Sequence, residues 1–152
     1  MEENMNLLKQ VNLQHLRTTM RNVNTATKPE LAKLTGLSVI TVNSLITTLL
    51  ESGEIKKDRI MHPPIGRPAA AYRLNENFCL ALIIYTFEKD EKDTVVFFVC
   101  DYCGNVISKC EKQLQEIRVD SFDPEIRRLV DANPKIGVIG FGLPVSEANG
   151  KI

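Results

Sequence analysis

The stretch Thr27-Lys28-Pro29-Glu30-Leu31-Ala32-Lys33-Leu34-Thr35-Gly36-Leu37-Ser38 decides the fold of the first half of this chain. Thr27 and Glu30 have capping-box spacing, in which each side chain accepts a hydrogen bond from the backbone amide of the other. Pro29 costs no hydrogen bond in the first turn of a helix. Gly36 stands where a chain leaves a helix through a left-handed conformation, and Ser38 can cap a second helix. The pattern predicts two short helices joined by a tight turn, with Leu31, Ala32 and Leu34 on the inner face of the first.

The second helix is predicted over about Val39 to Ser52. Its apolar positions form one stripe at 100° per residue: Val39, Val42, Leu45, Ile46, Leu49 and Leu50. Its opposite face is mostly polar: Ile40, Thr41, Ser44, Thr47 and Thr48, with Asn43 at the edge. A short helix, a glycine turn and a second helix with a polar face are typical of a helix-turn-helix, which holds its second helix in the DNA major groove. The alternative is a plain helical hairpin whose threonines meet solvent.

A basic hairpin is predicted directly after this helix. Strands are expected over Glu54–Met61 and Ala69–Leu74, and the prolines and glycine between them exclude regular structure. Five cations lie on or near the hairpin: Lys56, Lys57, Arg59, Arg67 and Arg73. Such cations contact DNA phosphates and make affinity fall with salt. Arg67, held between Gly66 and Pro68, suits insertion into a narrow minor groove; the alternative is a tight turn with a solvated arginine.

With these motifs, Asn12 to Asn75 resembles the N-terminal winged-helix domain of transcriptional regulators in the ROK family (repressors, open reading frames and kinases). The resemblance rests on 29–38, on Thr41-Val42-Asn43 and on Gly66-Arg67-Pro68-Ala69. In that family the Gly-Arg-Pro hook is implicated in minor-groove contact. One departure is that 39–52 contains no cation, whereas the family often has arginine there. The resemblance and the residue pattern together predict DNA contacts at Ser38, Thr41, Asn43, Ser44, Thr47, Lys56, Lys57, Arg59, Gly66, Arg67, Pro68 and Arg73.

An earlier helix supports this assembly, because Leu13, Leu16, Met20 and Val23 recur at spacings of three and four. It ends before a connector at 22–25. Three further apolar residues extend the helix or form a contact in a dimer: Leu7, Leu8 and Val11.

Charge separates the two halves of the 152-residue chain, which is neutral as a whole. Residues 1–75 carry 10 basic and 6 acidic side chains, and residues 76–152 carry 9 and 13. A basic half suits a polyanion and an acidic half does not. We therefore expect nucleic-acid binding to be confined to the first half.

The second half is predicted to be β-rich. Strands are expected from the apolar run Cys79–Phe87, from Thr94–Asp101 and from Val106–Cys110, joined by a charged turn at 88–93 and a tight turn at Gly104-Asn105. A helix beginning at Asp123-Pro124-Glu125 and ending at Asn133-Pro134 follows. The run 136–142 is a buried-strand candidate.

This order resembles the opening of the actin-like, ribonuclease-H-like effector domain of ROK proteins, including the pattern Gly140-Phe141-Gly142-Leu143-Pro144. Sugar kinases of the family carry a small-residue phosphate loop after the first strand. Here 86–91 has no glycine and has carboxylates that would repel phosphate. The family's sugar-contacting and zinc-binding segments have no counterpart before Ile152. We therefore predict no kinase activity, and the residues present support no sugar-type effector.

The four cysteines do not complete a metal site. Cys100 and Cys103 have knuckle spacing and Cys110 offers a third thiolate, but a zinc site needs a fourth ligand and both histidines belong to the first half. Reduced thiols are the favoured interpretation, so no metal and no cofactor are predicted. The polar N-terminus and the lack of a long apolar run indicate a cytoplasmic protein without a membrane span.

Together these patterns predict an α+β chain in two domains. Residues 1–75 form a winged helix-turn-helix and residues 76–152 a partial ribonuclease-H-like α/β domain. The predicted function is a sequence-specific DNA-binding transcriptional regulator, not an enzyme, and the resemblance implies a repressor of carbohydrate-related genes. A homodimer on palindromic double-stranded DNA is expected. The alternative is a non-catalytic, degenerate sugar-kinase-like module that binds protein.

Overall fold

The structure, a computed structural model, describes residues 2–61, 68–114 and 118–142, and their side chains except those of residues 2–5, 61 and 119. These residues form a mixed α+β fold of four helices and seven strands in two sheets. The chain divides into two compact units, Met1–Asn75 and Glu76–Ile152.

The first unit packs three helices against a three-stranded sheet. Its elements are α1 (Glu2–Val23), β1 (Thr25–Thr27), α2 (Lys28–Thr35), α3 (Val39–Glu51), β2 (Ile55–Met61) and β3 (Ala69–Leu74). Its core is drawn from every element: Leu13, Leu16, Met20, Ala26, Leu31, Ala32, Val42, Leu45, Ile46, Leu49, Ile55, Ala71, Tyr72 and Leu74. The stripe predicted for the first helix is confirmed at Leu13, Leu16 and Met20.

The turn between α2 and α3 has the predicted chemistry. The amide of Thr27 donates to the Glu30 carboxylate at 2.7 Å, and the Thr27 hydroxyl accepts from the Glu30 amide, which completes the capping box. The bond from the Thr27 amide, and then one that the Thr27 hydroxyl donates to the same carboxylate at 2.8 Å, lower the pKa of Glu30. Gly36 is left-handed at φ 70, and the Ser38 hydroxyl accepts from the Thr41 amide at 3.0 Å. The end of α2 at Gly36 and the cap of α3 at Ser38 therefore together fix where α3 begins.

Two residues expected on the inner face of this helical pair lie outside it. Leu34 and Val39 are each 53% exposed. Thr35 is buried in place of Leu34, because its hydroxyl donates to the carbonyl of Leu31 at 2.7 Å and so loses no hydrogen bond on burial. Helix α3 also ends one residue before Ser52, which caps it.

The first sheet has the order β1-β3-β2, with antiparallel pairing throughout. Strand β1 was not predicted. Its three residues, two of them threonines, resemble a connector in the sequence, and only the pairing of Thr25–Thr27 with Ala71–Arg73 of β3 makes them a strand. Strand β2 begins one residue after the predicted Glu54. A register shift between Lys57 and Ile60 marks a bulge in the hairpin.

A buried ion pair joins α1 to the beginning of the hairpin. The Arg17 guanidinium donates to both carboxylate oxygens of Glu54, at 2.7 and 2.8 Å. The hydroxyl of Ser52, at the end of α3, donates to the same carboxylate at 3.2 Å. The pair therefore ties three elements of the first unit together.

The second unit packs one helix on a four-stranded sheet. Its elements are β4 (Leu80–Lys89), β5 (Lys92–Asp101), β6 (Val106–Leu114), α4 (Val119–Ala132) and β7 (Ile136–Gly142). The order is β6-β5-β4-β7; the first three strands form the predicted antiparallel meander, and β7 runs parallel to β4. The buried cluster comprises Leu82, Ile84, Val95, Phe97, Val99 and Leu129.

Four predictions for this unit were wrong in part. The charged segment 88–93 is mostly strand, because Asp90 and Glu91 alone make the turn, both at positive φ (54° and 59°). Strand β6 likewise continues past Cys110 to Leu114, where it still pairs with β5.

Helix α4 begins at Val119, not at Asp123. Pro124 lies inside the helix, where it removes one hydrogen bond to the carbonyl of Asp120; both residues are exposed, so water can satisfy that carbonyl. Strand β7 is not buried either, since Val138 and Phe141 are 57% and 59% exposed. It lies at the end of the strand order and pairs with β4 alone.

No single helix in the described parts of the chain is both long and apolar enough to cross a membrane. Helices α2 and α3 meet that test of length and composition only when taken together, across a bend of 113°.

Candidate nucleic-acid interface

The outer face of α3 presents the side chains that the sequence predicts to read DNA. Ser38, Asn43, Ser44 and Thr47 are exposed, and Thr41 is half-buried. The opposite face is fixed by Val42, Leu45, Ile46 and Leu49, which are all buried in the core. The structure therefore places these predicted contact residues on one rigid, solvent-facing helix surface.

Several hydroxyl groups on this face are already bonded within the helix. Thr47 donates to the carbonyl of Asn43 at 3.0 Å and Thr48 to that of Ser44 at 3.2 Å. The hydroxyls of Ser38 and Thr41 lie 2.8 Å apart and share a hydrogen bond. Because these hydroxyl hydrogens point to carbonyls of the helix backbone, Thr47 and Thr48 present oxygen lone pairs and methyl groups to a binding partner.

Lys28 is a candidate contact residue that the sequence did not reveal. Its ammonium, at the beginning of α2, donates to the side-chain carbonyl of Asn43 on α3 and lies 5.5 Å from the ring centroid of Tyr72. A cation therefore stands beside a helix that has none of its own. The signal was too weak to find, because Lys28 is 15 residues from Asn43 in sequence and only the turn brings them together.

The hairpin carries four cations among its described residues. Lys57 and Arg59 are exposed, whereas Lys56 and Arg73 are half-buried. Asp58 draws Arg73 into an ion pair at 3.7 Å and also accepts from the hydroxyl of Thr25 at 2.9 Å. Lys57 and Arg59 are therefore better placed than Arg73 to meet a phosphate.

The tip of the hairpin falls partly outside the described residues. Gly66 and Arg67, the first two residues of the predicted hook, belong to the segment 62–67. Pro68, the third, is exposed immediately before β3.

The turn after β4 is rich in carboxylates. It is flanked by Glu88 and Asp93, with Asp90 and Glu91 at its tip. Lys89 and Lys92 lie in the same segment. All four cysteines are free thiols, and burial, with a smaller effect of Asp101, raises the pKa of Cys100. Within the described residues no three His, Cys, Asp or Glu side chains cluster to hold a metal ion.

Comparison with solved structures establishes a likeness of fold. The chain is similar to a crystal structure described as "the ROK family transcriptional regulator, homolog of E.coli MLC protein", with a TM-score of 0.65 over 90% of this chain. The two sequences are 18% identical, and this chain spans 36% of the other's length. The architecture is thus one that a ROK regulator uses for about a third of its length. No family model and no curated protein matches the sequence.

Proposed function

We propose that this chain is a DNA-binding transcriptional regulator of the ROK type. In this proposal residues 1–75 are a winged-helix domain that binds double-stranded DNA sequence-specifically. Residues 76–152 are the opening of a ribonuclease-H-like domain without catalytic activity. The regulator acts as a repressor, and it binds an inverted repeat as a homodimer, since two-fold protein symmetry matches two-fold DNA symmetry.

The observation that carries the proposal is the exposed polar face of α3. Asn43, Ser44 and Thr47 are all exposed there, and their amide and hydroxyl groups are of the kinds that form hydrogen bonds with base edges in the major groove. The capped turn before it fixes the entry angle of α3, which is the property that a recognition helix needs. The likeness to a solved ROK regulator gives independent support.

The cations lie on the elements that flank α3. Lys28 stands beside its outer face, and Lys57 and Arg59 are exposed on the hairpin. Cations on both flanks suit phosphates on the two walls of a groove that α3 enters. In the proposal Gly66-Arg67-Pro68 then reaches the adjacent minor groove, where a narrow A·T tract attracts arginine.

The test is selection of binding sites by the full chain from a random pool of duplex DNA, at two salt concentrations. The variants are Arg67→Ala and Lys28→Ala, with Arg127→Ala as the control, because Arg127 is an exposed arginine of the acidic second unit. We expect an inverted repeat to be enriched. Loss of Arg67 or Lys28 should weaken binding and reduce the dependence of log affinity on log salt by about one unit each.

Two results would contradict the proposal. Absence of any enriched sequence at low salt, with folded protein, would favour the protein-interaction module instead. Equal affinity of the wild type, Arg67→Ala and Arg127→Ala would remove the minor-groove hook from the mechanism while leaving α3 in place.

A further inference from the structure

Among the described side chains of the first unit, the most exposed large apolar one lies on the face proposed to enter the DNA. Ile40 is 84% exposed, and Val39 beside it is 53% exposed. At 100° per residue, Ile40 lies on one line with Ser44 and Thr47, opposite the buried stripe of α3. The sequence pattern placed Ile40 on the polar face but gave it no role.

Position, not exposure alone, distinguishes Ile40. Single exposed apolar residues are ordinary on protein surfaces. Ile40, however, is the second residue of α3, and recognition helices meet base edges through their N-terminal residues. Glu51 continues the same line at the other end of α3, where its carboxylate would repel phosphates. The N-terminal end is therefore the end that DNA can approach.

A positive charge near the N-terminal end of α3 also favours the approach of DNA to that end. Lys28 bonds to Asn43, the fifth residue of α3, and so places a cation beside its first turns. The hydroxyl hydrogen of Thr47, one turn further along, is held by the carbonyl of Asn43. Besides the donor groups of Asn43 and Ser44, this surface therefore offers a base pair methyl groups and oxygen lone pairs.

One base edge in the major groove matches an apolar side chain, and that is the C5-methyl group of thymine. We propose that Ile40 is a specificity-determining residue that packs on a thymine methyl group, so that the bound half-site has a required thymine opposite the N-terminus of α3. This inference rests on the proposed function, and it names the chemistry by which a helix without cations distinguishes base pairs.

The test uses the duplex selected from the random pool and the full-length chain. Each thymine is replaced in turn by deoxyuridine, which removes the methyl group and leaves the Watson–Crick edge unchanged. Affinities are measured for the wild type, for Ile40→Ala and for Ile107→Ala. Ile107 is 58% exposed on β6 of the second unit and serves as the matched control.

We expect one thymine per half-site whose replacement weakens wild-type and Ile107→Ala binding about fourfold, the equivalent of one methyl group withdrawn from apolar contact. Ile40→Ala should bind the thymine and deoxyuridine duplexes equally. If the wild type binds every deoxyuridine duplex as tightly as the parent, the inference fails and the proposed function stands. If the wild type binds no duplex, both fail.

Discussion

Removal of the Arg17 guanidinium should destabilise the first unit strongly. In Arg17→Ala the carboxylate of Glu54 loses both guanidinium bonds, at 2.7 and 2.8 Å, and keeps that of the Ser52 hydroxyl. Glu54 is 8% exposed, so water replaces only part of what is lost. The carboxylate would lose the guanidinium where α1 meets the end of α3 and the start of the hairpin.

The size of the effect follows from the burial of the pair. Removing one partner of a buried ion pair costs about 3–5 kcal/mol. The Arg17 side chain is 24% exposed and Ser52 still donates to Glu54, so we expect the lower end, about 3 kcal/mol. The control is Arg127→Ala. Its partner is Asp123, and the two side chains are 74% and 55% exposed, so solvent screens the pair and its loss should have little effect on stability.

Amide hydrogen exchange in the intact chain reports on this unit separately, through the protected amides of α3. A loss of about 3 kcal/mol corresponds to roughly hundredfold faster exchange there. Adding Glu54→Gln to Arg17→Ala should restore much of the protection, because the buried charge is then gone. Exchange in Arg17→Ala no faster than in Arg127→Ala would refute the argument that this pair is desolvated and structural.

Two further predictions concern one residue each. Hydrogen bonds from Arg128 and then Lys112 lower the pKa of Glu125 from 4.5 to about 2, so the ionised carboxylate stabilises the second unit fully above pH 4.5 and this contribution disappears as the pH falls towards 2. Urea denaturation followed across that range should show the loss in the wild type and a flatter profile in Glu125→Gln; parallel profiles would contradict it. A Cβ added at Gly36 would meet nothing within 4 Å, so Gly36→Ala introduces backbone strain at φ 70° alone. This strain should lower the free energy of unfolding of the first unit by about 1–2 kcal/mol, measured by amide exchange in α3. An added Cβ at Gly137 also meets nothing within 4 Å, and this glycine is not left-handed, so Gly137→Ala should cost the second unit little, measured by exchange of the β4 amides; equal losses of the two variants, each in its own unit, would remove the strain argument.

Local signals predicted the first unit well because its critical residues act within a few positions of one another. The capping box of Thr27 and Glu30, the left-handed Gly36 and the cap at Ser38 each depend on neighbours at most three residues away. The predicted stripe of α3 was wrong at its first residue, because Val39 lies at the start of the first turn and is 53% exposed there.

Contacts between residues far apart in the chain could not be predicted from the sequence. The pairing of β1 with β3 joins Thr25 to Arg73, and periodicity carries no information across such a distance. The same holds for Lys28 beside Asn43 and for Arg17 against Glu54. In the second unit, Pro124 misled the prediction of α4, since a proline often marks the first turn of a helix but here lies at its sixth residue.

In the proposed function, electrostatic attraction and base discrimination come from different elements of the first unit. Helix α3 carries no lysine or arginine, and the nearby cations belong to α2 and the hairpin. In the proposed function, electrostatic attraction and its salt dependence therefore come from Lys28, Lys57 and Arg59, whereas base discrimination comes from neutral side chains of α3. Because apolar contacts depend weakly on salt, raising the salt concentration should lower affinity for all sequences alike and leave the preference between sequences nearly unchanged. In the proposed function, that separation follows from a helix whose outer face is built from isoleucine, threonine, serine and asparagine.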